Sequence, residues 1–206
     1  KIFNRKASLV ADFFRTDFQD QVLADLDISP QKLVFYNLSG KSFANSFQTQ
    51  LDVIPLKNLE LRLAYKYYDV EADFMGGQRQ IPFMAKNRGF FNASYSTEKT
   101  AKDAFWSFDS TLQLIGQQKL PNLNSNPVEY QLPEYSKSYV TLNAQIARNF
   151  NKNIRAYVGG ENLTNERQKL PIQGMDNPQG SLFDVSQVYA PLMGIRGYIG
   201  LRWTLF

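Results

Sequence analysis

Long stretches of period-two alternation constrain this chain more than any other feature of its sequence. In the segment LELRLAYKYY, which begins at Leu59, nearly every second side chain is apolar or aromatic, whereas the side chains between them include Glu60, Arg62 and Lys66. Two later segments, SYVTLNAQIARNF and IRGYIGLRWTLF, repeat this pattern. Because successive side chains of a β-strand point to opposite faces, the pattern predicts strands with one apolar and one polar face.

Five further segments alternate in the same way, some of them less cleanly: ASLVADFF, NSFQTQLDVI, GFFNASYS, FWSFDSTLQLIG and NIRAYVGG. The sequence therefore predicts an all-β chain with about eight strands. Many of these segments are about ten residues long or longer, whereas strands in soluble sheets average about five or six residues. A strand of about nine to eleven residues can cross a bilayer at a tilt, so the lengths favour a transmembrane antiparallel β-barrel.

The connections between the predicted strands alternate between short and long. Short connections fall at 55–58, 97–103 and 151–153, and long ones fall at about 17–40, 75–86, 119–137 and 162–194. Outer-membrane barrels have short periplasmic turns and longer extracellular loops, so this order also favours a membrane barrel. Aromatic residues cluster near the predicted strand ends, as they do in the interfacial girdles of such barrels.

Composition excludes several classes of function. The chain contains no cysteine and no histidine, so a cysteine nucleophile, a Ser-His-Asp triad and a histidine- or thiolate-ligated metal site cannot be built from it. The net charge of +4 is spread along the chain, so we expect no nucleic-acid partner. No run of about 20 apolar residues is present, which argues against a helical membrane protein. We expect neither an enzyme nor a cofactor.

The polar faces of the predicted strands are compatible with two arrangements. In a soluble sandwich such a face meets the surrounding water, whereas in a membrane barrel it meets a lumen or a plug while the apolar face meets lipid. Periodicity does not distinguish the two arrangements, but strand length and loop order favour the barrel. The residues that we then expect to line the lumen are Glu60, Arg62, Lys66, Asn143 and Gln145.

Two segments near the end of the chain carry a more specific pattern. The first, NIRAYVGGENLTNERQ, contains Glu161, Asn162, Leu163 and Asn165, and the second, RGYIGLRWTLF, contains the Gly-Leu-Arg-aromatic sequence that begins at Gly200. Together they resemble the last hairpin of TonB-dependent outer-membrane receptors. In this resemblance Glu161, Asn162, Leu163 and Asn165 form the motif at which the penultimate strand ends and the loop begins. FRTDFQDQV followed by FYNLSGKSF is also similar to an upstream hairpin of these receptors.

The resemblance implies a barrel of about 22 strands that is filled by an N-terminal plug domain and imports a scarce nutrient such as an iron chelate, cobalamin or a glycan. It implies a location in the outer membrane, with the lipid bilayer, the barrel-assembly machinery and a small nutrient ligand as partners. The inner-membrane TonB complex would act through an N-terminal part that this chain lacks. We therefore expect residues 1–206 to be the C-terminal part of the barrel without its plug, and the absence of an initial methionine or signal peptide agrees with a fragment.

The resemblance also assigns roles to residues of the last strand and the preceding loop. The strand acts in this family as the recognition signal for barrel insertion, which corresponds here to Tyr198, Gly200, Trp203, Leu205 and Phe206. This strand is one residue longer after the motif arginine than is usual in the family. The long loop after Asn162 offers Asp184, Gln187 and Tyr189, for which ligand contact and inward packing both stay open.

Two alternatives are kept. Acidic pairs such as Asp25 with Asp27 could suggest a calcium site, but the chain has no twelve-residue calcium loop, so we expect these carboxylates in a solvated loop.

The even number of predicted strands also allows a complete small eight-stranded outer-membrane barrel with a structural or adhesive role. Its interior would have to be filled by a polar network.

Overall fold

Eleven β-strands and one short 3₁₀ helix form the regular structure of the residues that the computed structural model describes, namely 6–29, 32–38 and 40–205. The strands are β1 (Ala7–Phe18), β2 (Val22–Asp25), β3 (Val34–Asn37), β4 (Ser42–Leu56), β5 (Leu59–Phe74), β6 (Gly77–Gln80), β7 (Asn87–Ser96), β8 (Phe105–Ile115), β9 (Tyr139–Asn149), β10 (Ile154–Glu161) and β11 (Arg196–Trp203). The 3₁₀ helix spans Val128–Tyr130. In the described part of the chain no helix is long and apolar enough to cross a membrane.

Eight long strands form one antiparallel meander. Their order across the sheet is β1-β4-β5-β7-β8-β9-β10-β11, so each long strand pairs with the next long strand along the chain. The prediction of an all-β antiparallel fold with about eight strands is therefore confirmed. The described residues of β1 and β11 each pair on one side only, so they leave the sheet open and do not form the small closed barrel that the strand count allowed.

The register places the predicted apolar residues of the paired strands on one face, which we call the apolar face. One cross-strand row of this face joins Leu9, Leu51, Leu63, Phe91, Leu112 and Leu142, and another joins Tyr95, Phe108, Ile146, Val158 and Ile199. Many of these side chains are exposed, up to 85% for Ile199. A soluble sheet would bury such a surface against another layer, and no described element covers it.

The opposite face, which we call the polar face, collects the intervening side chains. One of its rows joins Ser8, Asp52, Arg62, Asn92, Thr111 and Asn143, and another joins Glu60, Ser94, Asp109, Gln145, Gly159 and Tyr198. A slip of one residue in any pairing would exchange the two faces. The consistent register over eight strands therefore specifies a wall with two chemically different sides.

The connections lie at two different ends of the sheet. At the short-turn end the long strands are joined by residues 57–58, 97–104 and 150–153, and at the long-loop end by residues 19–41, 75–86, 116–138 and 162–195. The predicted alternation of short and long connections agrees with these bounds. The short turns use local chemistry: the backbone of Asn58 is left-handed, and the Asn151 Oδ1 accepts hydrogen bonds from the amides of Asn153 and Ile154.

The long connections contain structure that the alternation did not predict. Strands β2 and β3 form a separate hairpin within 19–41, and β6 folds back onto the end of β5 after a turn at Gly76 and Gly77, both of which have positive φ. We call the four long connections together the loop cap. The most buried apolar side chains lie mainly in or beneath this cap, and they include Leu38, Ala72, Phe74, Leu120 and Leu123. Hydrophobic packing is therefore concentrated at the long-loop end.

Candidate functional site

The five residues predicted to line a lumen all project from the polar face. Glu60 and Gln145 lie in one cross-strand row, Arg62 and Asn143 lie in the neighbouring row, and Lys66 lies nearer the loop cap, opposite Gln48. They do not share one pocket. Glu60 and Arg62 border a depression of about 610 Å³, whereas Lys66 and Asn143 each border a different one.

Charged and polar groups of this face bind one another across the strands. The Arg62 Nε lies 2.5 Å from the Asp52 carboxylate, which also accepts a hydrogen bond of 2.7 Å from Gln50. On the next strands, the Asn92 amide donates to the carbonyl of Ser110 and to the Thr111 hydroxyl. The polar face is thus a surface of fixed donors and acceptors, which suits contact with a polar occupant.

A buried ion cluster joins three of the long connections. The side chain of Asp25 is only 1% exposed. Its carboxylate lies 2.5 Å from the Arg79 guanidinium and accepts a hydrogen bond of 2.6 Å from the Tyr36 hydroxyl. Arg79 also pairs with Asp27, whose other oxygen accepts a hydrogen bond from the amide of Asn122. The cluster therefore connects the β2–β3 hairpin, β6 and the connection 116–138.

The expectation of solvated carboxylates is wrong for Asp25 and Asp27. A carboxylate can be buried only with compensating partners, and Arg79, more than 50 residues away in the sequence, supplies them. The Arg79 guanidinium also lies 4.4 Å from the centroid of the Phe74 ring. Burial raises the pKa of Tyr36 above its ordinary value of 10.0, and the hydrogen bond to Asp25 raises it further. Tyr36 is therefore a neutral donor to this carboxylate at physiological pH.

Asn162, the second residue of the predicted strand-exit motif, closes the base of the longest loop. It has a left-handed backbone conformation with φ of 51°, and its side chain is almost fully buried. Its side-chain nitrogen, Nδ2, donates hydrogen bonds to the backbone carbonyls of Glu166 and Met193. Its side-chain oxygen, Oδ1, accepts a hydrogen bond from the backbone amide of Glu166. The start and the end of the connection 162–195 are therefore held together by one side chain.

The other residues of the motif lie around Asn162. Glu161 pairs with Arg196 at 2.6 Å across β10 and β11, and the amide of Leu163 donates to the carbonyl of Leu142 on β9. Asn165 also has a left-handed backbone, with φ of 57°. The motif thus forms a turn, and whether it has a further role in this protein stays a prediction.

The three residues predicted as a ligand loop lie in the last long connection, but they do not lie together. Asp184 and Gln187 border a cavity of about 240 Å³, whereas Tyr189 borders a separate depression with Arg88 and Gln118. Asp184 accepts hydrogen bonds from the amide of Ser186 and from the Gln187 side chain. The Oε1 of Gln187 is buried and has no hydrogen-bond partner among the described residues.

Buried glutamines hold this loop against the neighbouring one. The Gln168 side chain donates to the carbonyl of Gln187 and accepts from the amides of Tyr189 and Ala190. The Gln118 side chain donates to the carbonyl of Tyr189 from the connection 116–138. These contacts show inward packing of the loop, and ligand contact by Asp184, Gln187 and Tyr189 stays a prediction.

The last strand packs on β10 through two reciprocal pairs of tyrosine and glycine. Tyr157 lies opposite Gly200, and Tyr198 lies opposite Gly159. A Cβ atom at Gly200 would lie 2.2 Å from the Tyr157 ring, so a larger residue at this position would require the ring to move. Trp203 projects from the apolar face, Leu205 follows the end of β11, both side chains are exposed, and Phe206 lies outside the described residues. A role of these residues in barrel insertion stays a prediction.

Within the described ranges no group of three or more His, Cys, Asp or Glu side chains could hold a metal ion. The sequence pattern does not predict a role for Arg79, Gln118 or Gln168, although each of them organises the loop cap. Only their three-dimensional partners identify them, because in the sequence they are single polar residues in polar segments.

Comparisons with known proteins agree with this geometry. The family model described as "TonB dependent receptor-like, beta-barrel" matches residues 1–163, a range that includes seven of the eight long strands. The crystal structure of the ferric-catecholate import receptor Fiu from Escherichia coli K12, in a closed form, superposes with a TM-score of 0.60 at 13% identity. The superposition covers 98% of this chain and 26% of that receptor, so this chain spans about a quarter of its length. No curated protein matches the sequence.

Proposed function

The chain belongs to the TonB-dependent receptors through their β-barrel domain, and on this basis we propose that it forms part of an outer-membrane receptor for active nutrient uptake. It contributes wall strands and extracellular loops to that receptor. The substrate is a scarce small nutrient, such as an iron chelate or cobalamin, and the receptor performs no bond chemistry on it. The ferric catecholate named for Fiu is a substrate of that receptor, and we do not assign it to this chain.

One observation carries this proposal most strongly, namely the continuous exposed apolar face over eight strands in consistent register. On β5 the apolar face runs from Leu59 to Tyr67 and is followed by Asp69. This length corresponds to about 27 Å along the strand and about 21 Å along the axis at a tilt of about 40°, close to the apolar band of about 25 Å in outer-membrane barrels. The band fits the hydrocarbon layer of a membrane.

We assign the two ends of the sheet on the same grounds. The short-turn end faces the periplasm and the loop cap faces the cell exterior, because membrane barrels have this distribution of connection lengths. The polar face then lines the lumen, with Glu60, Arg62, Lys66, Asn143 and Gln145 among its residues. Residues 1–206 form the C-terminal part of a barrel of about 22 strands, and a separate plug domain fills its lumen.

The partners follow from this assignment. The bilayer contacts the apolar face, the barrel-assembly machinery recognises β11, and the TonB complex supplies energy through a part of the receptor outside this chain. The nutrient contacts the loop cap. The cavity beside Asp184 and Gln187 is the place where we expect such contact, because the unpartnered Gln187 Oε1 could accept a hydrogen bond from a ligand.

The topology can be tested with single cysteines, since the chain contains none. We choose Val128→Cys in the loop cap, where the native side chain is 85% exposed, and Lys152→Cys in a short turn, where it is 80% exposed. Both are introduced into the full-length receptor, and intact cells are treated with a maleimide coupled to a polymer too large for porins. The unsubstituted receptor measures the background.

We expect Val128→Cys to react on intact cells and Lys152→Cys to react only after the outer membrane is opened. Equal reaction of both on intact cells would contradict the assignment of the two ends. The uptake role is tested separately by growth of a strain that lacks the receptor, with iron chelates or cobalamin as the limiting nutrient. Unchanged growth on all of them would argue against these substrates but not against the topology.

A further inference from the structure

Arg148 is a charged residue in an unusual place on the apolar face. Every other charged side chain that β1, β4, β5 and β7–β11 place on this face lies at the long-loop end, and the set comprises Arg15, Asp17, Asp69, Glu71 and Asp73. Arg148 instead lies near the short-turn end, one residue before the last residue of β9. Its register partners are Trp106 on β8 and Ala156 on β10.

The guanidinium of Arg148 has an aromatic contact but no anionic partner. It lies 5.2 Å from the centroid of the Trp106 ring, a distance at which the ring attracts a cation. It makes no ion pair and no side-chain hydrogen bond with any residue that the structure describes. Arg15, at the other end of the same face, is paired with Asp17 at 2.8 Å. The two arginines of the apolar face therefore differ in their need for an external anion.

The side chains around Arg148 on the apolar face are small or apolar. Ala156 is its partner on β10, and the neighbours of Ala156 on this face are Leu201 across the strands and Ile154 and Val158 along β10. Leu201 and Trp203 are 72% and 68% exposed, so this part of the apolar face is open to the surroundings of the sheet. A hydrocarbon chain that lies over Ala156 would bury apolar area while its polar end reaches Arg148.

An arginine in this position needs an anion that is itself attached to hydrocarbon. A charge within the hydrocarbon layer is costly, and arginine avoids the cost by extending its guanidinium to the interface. The guanidinium presents several donors that match the oxygens of a phosphate. A phosphate group attached to acyl chains can pair with the guanidinium while its acyl chains cover the apolar surface beside it.

We propose that Arg148, with the Trp106 ring and the apolar surface around Ala156, forms a binding site for the phosphate and one acyl chain of a glycerophospholipid. The site lies at the short-turn end of the apolar face. It depends on the proposed insertion of this face into a membrane but not on the transported nutrient. The Arg148 guanidinium binds the phosphate, and the Trp106 ring positions the guanidinium by a cation–π contact. Leu201 and Trp203 border the lipid's acyl chain.

The test compares phospholipid retention by the full-length receptor and two arginine variants. The receptor, Arg148→Gln and Arg15→Gln are purified in mild detergent and mixed with palmitoyl-oleoyl phosphatidylglycerol, and bound lipid is counted by native mass spectrometry. Arg15→Gln is the matched control, because it removes the same charge from the same face. Palmitoyl-oleoyl diacylglycerol, which lacks the phosphate, serves as the control lipid.

We expect Arg148→Gln to weaken retention of one phosphatidylglycerol about tenfold, the effect of losing one charged hydrogen bond of about 1.5 kcal/mol, while Arg15→Gln retains it. Arg148→Lys should retain an intermediate amount, and diacylglycerol should not distinguish the variants. Equal retention by the receptor and by Arg148→Gln, or an equal loss in Arg15→Gln, would overturn the site. Heat-modifiable mobility on gels shows that each variant is a folded barrel, so failure of the membrane assignment itself is recognised separately.

Discussion

The two ends of the sheet are ordered by different kinds of interaction. At the short-turn end, hydrogen bonds within one turn fix its shape. The Thr97 hydroxyl accepts a hydrogen bond from the backbone amide of Trp106, and the Thr100 hydroxyl accepts one from the backbone amide of Ala104. At the long-loop end, the partners are far apart in the sequence: Asp25 binds Arg79, and Gln118 binds the carbonyl of Tyr189. Within the short turns the contacts are mostly local, apart from exposed pairs such as Lys57 with Glu98, whereas buried contacts between loops hold the loop cap.

Burial differs in the same way. The pair of Lys57 and Glu98 at the short-turn end is more than 70% exposed on both sides, whereas Asp25 at the long-loop end is almost completely buried. A buried carboxylate depends on its partner, because an unpaired charge in that place is costly, while an exposed carboxylate returns to water. The comparison therefore predicts a steep difference in sensitivity to substitution between the two ends.

The largest effect should follow the loss of Arg79. We expect Arg79→Met to destabilise the loop cap by about 3 kcal/mol or more, because it leaves Asp25 buried without its ion partner. Hydrogen exchange measured by mass spectrometry on the full-length receptor should show about a hundredfold loss of protection in β2 and β3, with the short turns unchanged.

The matched control for this prediction is Arg196→Gln. Arg196 also pairs with a carboxylate, that of Glu161, but the two side chains are 60% and 45% exposed. Protection near β11 should change little. If both substitutions loosened their surroundings equally, burial would not be the cause of the difference between the pairs.

This contrast also explains how much of the structure could be predicted from the sequence. The faces of the long strands were predictable, because each residue of LELRLAYKYY has a fixed side once the period of two is known. The family model confirms the barrel family that the last hairpin suggested, and the superposition on Fiu agrees with the fold. Register then brought the predicted polar residues, such as Glu60 and Gln145, into common rows.

The loop cap could not be predicted by the same means. The β2–β3 hairpin is stabilised by Arg79 and by Leu38 packing on Ala72 and Phe74, and none of these long-range partners is encoded in the pattern of the hairpin itself. For the same reason Asp25 was expected in solvent although it is buried. Pattern gives the direction of a side chain in a strand, but it does not give the partner of a side chain in a loop.

A smaller effect should distinguish two asparagines that share a backbone conformation. Asn162 and Asn58 both have positive φ, but only Asn162 uses its side chain for hydrogen bonds within the described chain. We expect Asn162→Gly to destabilise the base of the loop 162–195 by about 1–3 kcal/mol, because buried backbone groups lose their partners. Asn58→Gly should be neutral or slightly stabilising, because glycine adopts positive φ easily.

Thermal unfolding of the full-length receptor in detergent, together with hydrogen exchange at residues 163–168 and 190–195, measures this difference. Asn162→Ala adds backbone strain to the lost hydrogen bonds and should be more destabilising than Asn162→Gly. A destabilisation by Asn58→Gly as large as that by Asn162→Gly would show that the short turn also depends on side-chain contacts. The distinction between the two ends would then fail.

The smallest effect should come from the exposed pair of Lys57 and Glu98. The hydrogen bond from Lys57 lowers the pKa of Glu98 below its ordinary value of 4.5, so any stabilisation by the pair is present above that pH and disappears as the pH falls through the lowered pKa. Because both side chains are exposed, we expect Lys57→Gln, Glu98→Gln and the double variant to unfold at the same temperature as the unsubstituted receptor at pH 7.

The same comparison can be made in acid. Between pH 5 and pH 3 the unfolding temperatures of the unsubstituted receptor and of Glu98→Gln should fall alike, since other carboxylates titrate in both. A coupling between Lys57 and Glu98 that is clearly measurable at pH 7 and absent at pH 3 would show that this turn depends on a long-range ion pair, as the loop cap does.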